Sequence, residues 1–187
     1  MKAIIDTSSW ISLVRYYLPF DNKSVLIDFF EKKLNNGNLV IVDAVQTECS
    51  FIAKGIVIDS FDFMKSSKKH IKTNQLIPTT KFYNLLENQF CIQVQKRKLS
   101  EVQFENEKDN FLKSADGRII LQAIELKKSL LNDVFVVTEE TSTNNDHKIF
   151  KKIPAICKMV NVKCITLPKL IKKFDNELKI NIKNTST

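Results

Sequence analysis

Met1-Lys2-Ala3-Ile4-Ile5-Asp6-Thr7-Ser8-Ser9-Trp10 is the stretch on which the fold turns. Ala3, Ile4 and Ile5 form an apolar run without alternation, the pattern of a strand covered on both faces of a parallel sheet. The run stops at Asp6, three hydroxyl residues follow, and a helical pattern begins with Trp10, Ile11, Leu13 and Val14. In open α/β sheets ligands bind just beyond the carboxyl ends of strands, so Asp6 stands at a chemically useful address. A carboxylate there can also simply cap the next helix.

Two further apolar runs repeat the arrangement. Leu39-Val40-Ile41-Val42 reads as a buried strand followed by Asp43, and a helix is expected from Ala44 to about Lys54. Its apolar positions are Val45, Cys49 and Ile52, with Glu48 at the edge of that face. Val134-Phe135-Val136-Val137 reads as a third strand, ending in Thr138-Glu139-Glu140. Between them, Ser114 is placed to cap a helix carrying Ile119, Ile120, Ala123 and Leu126 inward, with Asp116 in its first turn. Val162 to Thr166 makes a short final strand and Leu167 to Phe174 a final helix.

The rest of the chain is read more coarsely. A helix capped by Asp21 or Asn22 carries Val25, Leu26, Phe29, Phe30 and Leu34, and Asn35 to Asn38 turns the chain. Residues 59–70 are expected to be helical. Another helix enters at Pro78-Thr79-Thr80 and runs through Val94. The Lys96-Arg97-Lys98 and Glu101-to-Asp109 stretches read as a hydrophilic connection or a weak helix, a short helix covers Ile153 to Val160, and residues 175–187 read as a polar, partly disordered tail. The expected architecture is α/β: one three-layer α/β/α domain over residues 1–174, its central sheet mostly parallel, with residues 56–110 as a helical elaboration.

Composition narrows the chemistry. The chain of 187 residues is 43% hydrophobic and 27% charged with three glycines, a composition for one ordered domain with a substantial core. No signal peptide or apolar run of membrane length stands out, and an intracellular, cytoplasmic setting is expected. Cys49, Cys91, Cys157 and Cys164 are scattered and His70 and His147 are the only imidazoles, which disfavours zinc and any histidine base. Hydrolytic chemistry here must rest on carboxylates. The net charge of +8 is carried wholly by residues 148–187, where ten lysines face only Asp175 and Glu177. Such a segment suits a phosphate backbone, and equally a solvated lysine-rich face.

Asp6, Glu48, Asp116 and Glu140 thus fall on strand ends or on helices that can lean over one sheet edge. Clustered carboxylates repel, and a hard divalent ion such as Mg²⁺ or Mn²⁺ would supply the counter-charge and could activate water at a phosphodiester.

The motifs Ile4-Ile5-Asp6-Thr7-Ser8, Asp43-Ala44-Val45-Gln46-Thr47-Glu48, Ser114-Ala115-Asp116-Gly117-Arg118-Ile119-Ile120 and Val136-Val137-Thr138-Glu139-Glu140 occur in that order. Lys152-Ile153-Pro154-Ala155-Ile156-Cys157 and Val162-Lys163-Cys164 close the series. In their order and spacing they resemble the PIN domain, the metal-dependent nuclease fold of VapC-like toxin ribonucleases. More narrowly, they resemble a bacterial PIN subgroup catalogued as a domain of unknown function; residues 56–110 match only loosely. The resemblance implies an Mg²⁺- or Mn²⁺-dependent endoribonuclease, the toxin of a toxin–antitoxin pair, restrained by a cognate antitoxin protein and paired as a homodimer. It implies Asp6, Glu48 and Asp116 as metal-binding acids and Glu140 as the fourth, with Glu139 a possible substitute. Ser8 stands where the family often has asparagine. Thr7, Ser8 and Thr138 would orient ligands or water, and Lys148, Lys151, Lys152, Lys169, Lys172 and Lys173 would hold RNA. DNA as substrate, and a PIN scaffold that only binds nucleic acid or a protein, are the alternatives.

Overall fold

The computed structural model describes residues 1–21, 24–129, 133–141, 148–175 and 178. Its centre is a five-stranded, wholly parallel sheet of β1 (Lys2–Ile5), β2 (Leu39–Val42), β3 (His70–Ile71), β4 (Val134–Val137) and β5 (Lys163–Ile165). The spatial order is β3-β2-β1-β4-β5. The apolar runs behave as expected of strands covered on both faces: β2 and β4 are buried at all four positions, and β1 at three. β1 pairs with β4 from Lys2 opposite Val134 to Ile5 opposite Val137, and with β2 through Ala3–Leu39 and Ile4–Val40.

Because β1 leads outward to β2 on one side and has β4 on the other, the strand order reverses between β1 and β4. That is the crevice where open α/β sheets take ligands. The ladder continues one residue past the strand ends, Asp6 N–H bonding Val137 O at 2.9 Å and Thr138 N–H bonding Ile165 O at 3.1 Å. Asp6 and Thr138 are therefore held side by side at the lip of the crevice.

Helices complete a three-layer α/β/α domain. α1 (Thr7–Tyr16) follows β1, and its Trp10 is buried among the rings of Phe30, Phe61 and Phe63. α2 (Val25–Asn35) packs on β2 and meets the end of α11 (Leu167–Phe174), with the Phe29 and Phe174 rings 6.2 Å apart. α3 (Asp43–Phe51) leads into the short α4 (Ile56–Ser60) and α5 (Asp62–Lys65). α6 (Thr80–Leu85), α7 (Gln93–Lys96), α8 (Glu101–Lys113) and α9 (Ala115–Ser129) precede β4, and α10 (Ile153–Met159) precedes β5. α9 packs on β4 and β2.

Several expectations are corrected. Of the two caps expected for α2, Asp21 anchors the helix, its Oδ2 accepting Leu26 N–H at 2.7 Å, and Asn22 lies outside the described residues. α3 ends at Phe51 rather than Lys54, because Ala53 (φ 51°) and Lys54 (φ 59°) turn the chain through left-handed conformations. The helix expected over 59–70 is broken, and His70–Ile71 instead adds a strand to β2; two residues are too few to show periodicity. The helix expected through Val94 gives way at a π-turn, Leu86–Phe90. The acidic stretch after Ser100 is a full 13-residue helix, α8, with a capping box between Ser100 and Gln103. Its buried Lys108 ion-pairs with Glu87 and with Glu105. Most of the 141–148 loop and of the expected 175–187 tail lies outside the described residues; Leu178 packs against the core.

Candidate functional site

Asp6 sits at the N-cap position of α1 yet makes no capping hydrogen bond. Instead its Oδ2 accepts two hydroxyls, Ser8 Oγ at 2.6 Å and Thr138 Oγ1 at 2.9 Å, and the residue is buried. The capping reading of Asp6 is thereby set aside. The two hydroxyls lie 3.4 Å apart, and Glu140 N–H bonds Thr138 Oγ1 at 3.1 Å. The end of β4 is thus tied to the end of β1 by a polar chain running from Glu140 through Thr138 to Asp6.

Glu48 lies on α3, half-buried, its Oε2 accepting the Thr7 hydroxyl at 2.5 Å. Val45 and Cys49 take the inner face of that helix, which leaves Ala44, Thr47, Glu48 and Phe51 on a stripe facing a cleft.

Asp116 enters from α9. The cap there is Ser114, whose Oγ accepts Gly117 N–H at 3.2 Å, so Asp116 is not needed for it. A Cβ on Gly117 would lie 2.1 Å from Phe111 O. Only glycine lets α8 and α9 approach this closely and fix Asp116 in its first turn. Burial, and then the charges of Asp6, Glu140 and Glu48, push the Asp116 carboxyl up to about 7, with Lys148 pulling the other way. Three carboxylates from other parts of the chain therefore act on Asp116 at the β1/β4 crevice.

Glu140 Oε2 accepts Ile153 N–H at 3.2 Å, joining it to the start of α10. Its neighbour Glu139 points elsewhere: Oε1 accepts Leu167 N–H at 2.7 Å, the first amide of α11. Glu139, the possible substitute for Glu140, anchors α11 through this oxygen, and its charge also helps raise the Tyr17 hydroxyl.

The lysines divide. Lys148, Lys151 and Lys152 line a cleft of about 470 Å³ together with Asp116, Glu140 and Ser114. Lys169 lines a neighbouring cleft with Thr138 and Glu140, as does Lys158, which sequence reasoning missed. Lys173 lies over the Phe135 ring at 5.2 Å and its charge reaches Asp133, at the amino end of β4. α11 runs back along the sheet and brings Lys173 to the edge opposite the acids.

Asp43, the residue that follows β2, holds the loop after β3. Its Oδ1 accepts the Thr73 hydroxyl at 2.5 Å and its Oδ2 accepts Thr73 N–H at 3.1 Å, while Arg118 Nη1 donates to Thr73 O at 2.9 Å. Nothing in the sequence links Thr73 to Asp43, since the missed strand β3 makes that contact. All four cysteines are free, and burial pushes the Cys49 thiol up to about 12, far from a thiolate nucleophile.

The donor set suits a hard divalent cation in chemistry: all oxygen, and net negative. Oδ2 of Asp6, Oε2 of Glu48 and Oε2 of Glu140 are each held by a donor, and among the described residues the second oxygen of each takes none. No three of the described acids, cysteines or histidines close into a ready ligand cage. The fit is to an ion that keeps several waters and takes one or two carboxylates directly, as Mg²⁺ does.

The profile of a family described as a domain of unknown function (DUF4411) matches residues 4–178. The chain belongs to the DUF4411 family. The DUF4411 match runs from within β1 past the end of α11, and so includes all four site acids and the three clefts around them. No curated protein and no solved structure matches the chain. No described helix is long and apolar enough to cross a membrane.

Proposed function

We propose that this chain is a metal-dependent endoribonuclease that hydrolyses RNA phosphodiester bonds. One observation carries the reading: Asp116 is driven up to about 7 by burial and by three other carboxylates gathered at the strand-order reversal. Packing does not require such a cluster, and it opposes stability without a cation. The motif resemblance to PIN nucleases supports the same reading.

Asp6, Asp116, Glu140 and Glu48 would hold Mg²⁺ or Mn²⁺, which when bound lowers the pKa of its water and offsets charge on the scissile phosphate. The residues around the acids keep them in position. Ser8 and Thr138 fix Asp6, Thr7 fixes Glu48, and the start of α10 fixes Glu140, so each of these three carboxylates has one oxygen anchored and one available. Such bridging supports tune both ligand orientation and affinity. Lys148, Lys151 and Lys152 border the cleft containing Asp116 and Glu140, where they would grip the phosphates flanking the bond to be cut. They act as point charges and choose no sequence. The toxin role, a cognate antitoxin and a homodimer rest on the resemblance and belong to this proposal.

A mixed cellular RNA pool incubated with the protein, with Mg²⁺, Mn²⁺ or chelator, tests it beside an Asp6→Asn, Asp116→Asn double variant. Cleavage that needs both the metal and the two aspartates is expected, and a competing DNA pool reports substrate preference. A second reading is a module that binds RNA through the same lysines without cutting it. RNA retained intact in every lane by folded protein would select that reading.

A further inference from the structure

The acidic centre opens into two clefts that meet at Ser114. One holds Lys148, Lys151 and Lys152 beside Asp116 and Glu140. The other, of about 430 Å³, lies on the Glu48 side and is lined by Thr47, Phe51, Asn74, Lys113 and Arg118. The two differ in chemistry. The first offers ammonium groups to a backbone, whereas the second offers a bare aromatic ring between polar side chains.

Phe51 is 64% exposed, the least protected phenylalanine in the described chain. It stands outside the hydrophobic core, and among the described residues no other ring packs on it. It lies three residues after Glu48, hence on the same face of α3, where positions 44, 47, 48 and 51 all border the cleft. The ring is also held in place. α3 stops at Phe51 because Ala53 and Lys54 turn the chain away, and Asp43 and Arg118 secure the Thr73 loop that forms the far wall. Beside the ring on α3 stands the Thr47 hydroxyl, and other elements bring the Asn74 amide and the positive charges of Lys113 and Arg118 to the same cleft.

We infer that this second cleft is a nucleobase subsite: a base of single-stranded RNA stacks on Phe51 one step from the acidic centre, while Lys148, Lys151 and Lys152 hold the backbone on the other flank. The inference rests on the ribonuclease reading and narrows its substrate to unpaired RNA. A base inside a duplex is already stacked on both faces and cannot reach the ring. A nucleobase suits this cleft better than a protein segment does, because a flat π-face beside amide, hydroxyl and cationic groups matches a base and its phosphate together.

Fluorescence anisotropy of a labelled, mixed-sequence single-stranded RNA about ten nucleotides long tests this, in chelator and in an Asp116→Asn background that removes cleavage. Phe51→Ala is expected to weaken binding about 5- to 150-fold, the range for loss of one stacked base, while Phe51→Trp retains it. Duplex RNA of the same sequence should bind alike to all three proteins. Thermal unfolding checks that the exposed substitution leaves the fold intact. Equal single-strand affinity for Phe51→Ala and its Phe51 parent overturns the subsite but leaves the ribonuclease reading standing. Absence of RNA binding by every protein, the Phe51 parent included, overturns both.

Discussion

Asp116→Asn should stabilise the metal-free protein while abolishing its activity. The Asp116 carboxyl titrates near 7 in the folded chain against an ordinary 3.8. Between those values the folded state holds a proton that the unfolded state has released, so stability falls as pH rises through the window. About three pKa units correspond to about 4 kcal/mol at full development above pH 7. Integrated between pH 5 and pH 8, the loss is about 2.5 kcal/mol. Asparagine keeps the shape, carries no charge and removes this contribution. Urea unfolding in chelator at the two pH values reads it directly. The wild type should lose about 2.5 kcal/mol more than Asp116→Asn between them, with Mn²⁺ at pH 8 restoring the wild type and doing little for the variant. Matching pH dependence in the two proteins, within about 0.5 kcal/mol, would refute the claim that burial and three other acids act on Asp116.

Gly117→Ala puts a methyl into the Phe111 carbonyl at the α8–α9 junction and should cost about 1–3 kcal/mol, with metal affinity falling as Asp116 shifts; calorimetry and Mn²⁺ titration measure both. Glu139→Gln should leave activity near normal, since a side-chain amide oxygen still accepts Leu167 N–H, whereas Glu140→Gln should abolish cleavage in the same gel assay. Replacing Lys148, Lys151 and Lys152 together by Ala should weaken RNA binding and lower the salt slope of log K by about 2, at roughly 0.7 per phosphate contact on a single strand. Replacing Lys172 and Lys173 should change that slope little, which equilibrium binding across a salt series would show.

Three acids of the candidate site were legible from local chemistry alone. Asp6 and Glu140 follow apolar runs too uniform to be anything but covered strands, and Asp116 follows a serine placed to cap a helix. Whether each was a cap or a reactive group was not legible, because both roles want a carboxylate at the same position. Tertiary contacts remove only the capping reading, and only for two of them: Ser8 and Thr138 hold Asp6, and Ser114 caps α9 in place of Asp116. The capping box Ser100–Gln103 was present in the sequence, but the polar composition of α8 obscured it; that helix is set by its ends and its buried Lys108.

The sequence by itself determined four of the five strands, their parallel character and the acids that follow β1 and β4, since burial on both faces demands continuous apolar residues. Only the tertiary structure decided which acids meet and which lysines accompany them. Strand order is set by pairing between segments more than a hundred residues apart, Ile5 opposite Val137 among them, and no local pattern encodes it. The two-residue β3, which pairs with β2, the Asp43–Thr73 clasp and the cleft that Phe51 borders likewise depend on contacts between segments distant in the chain.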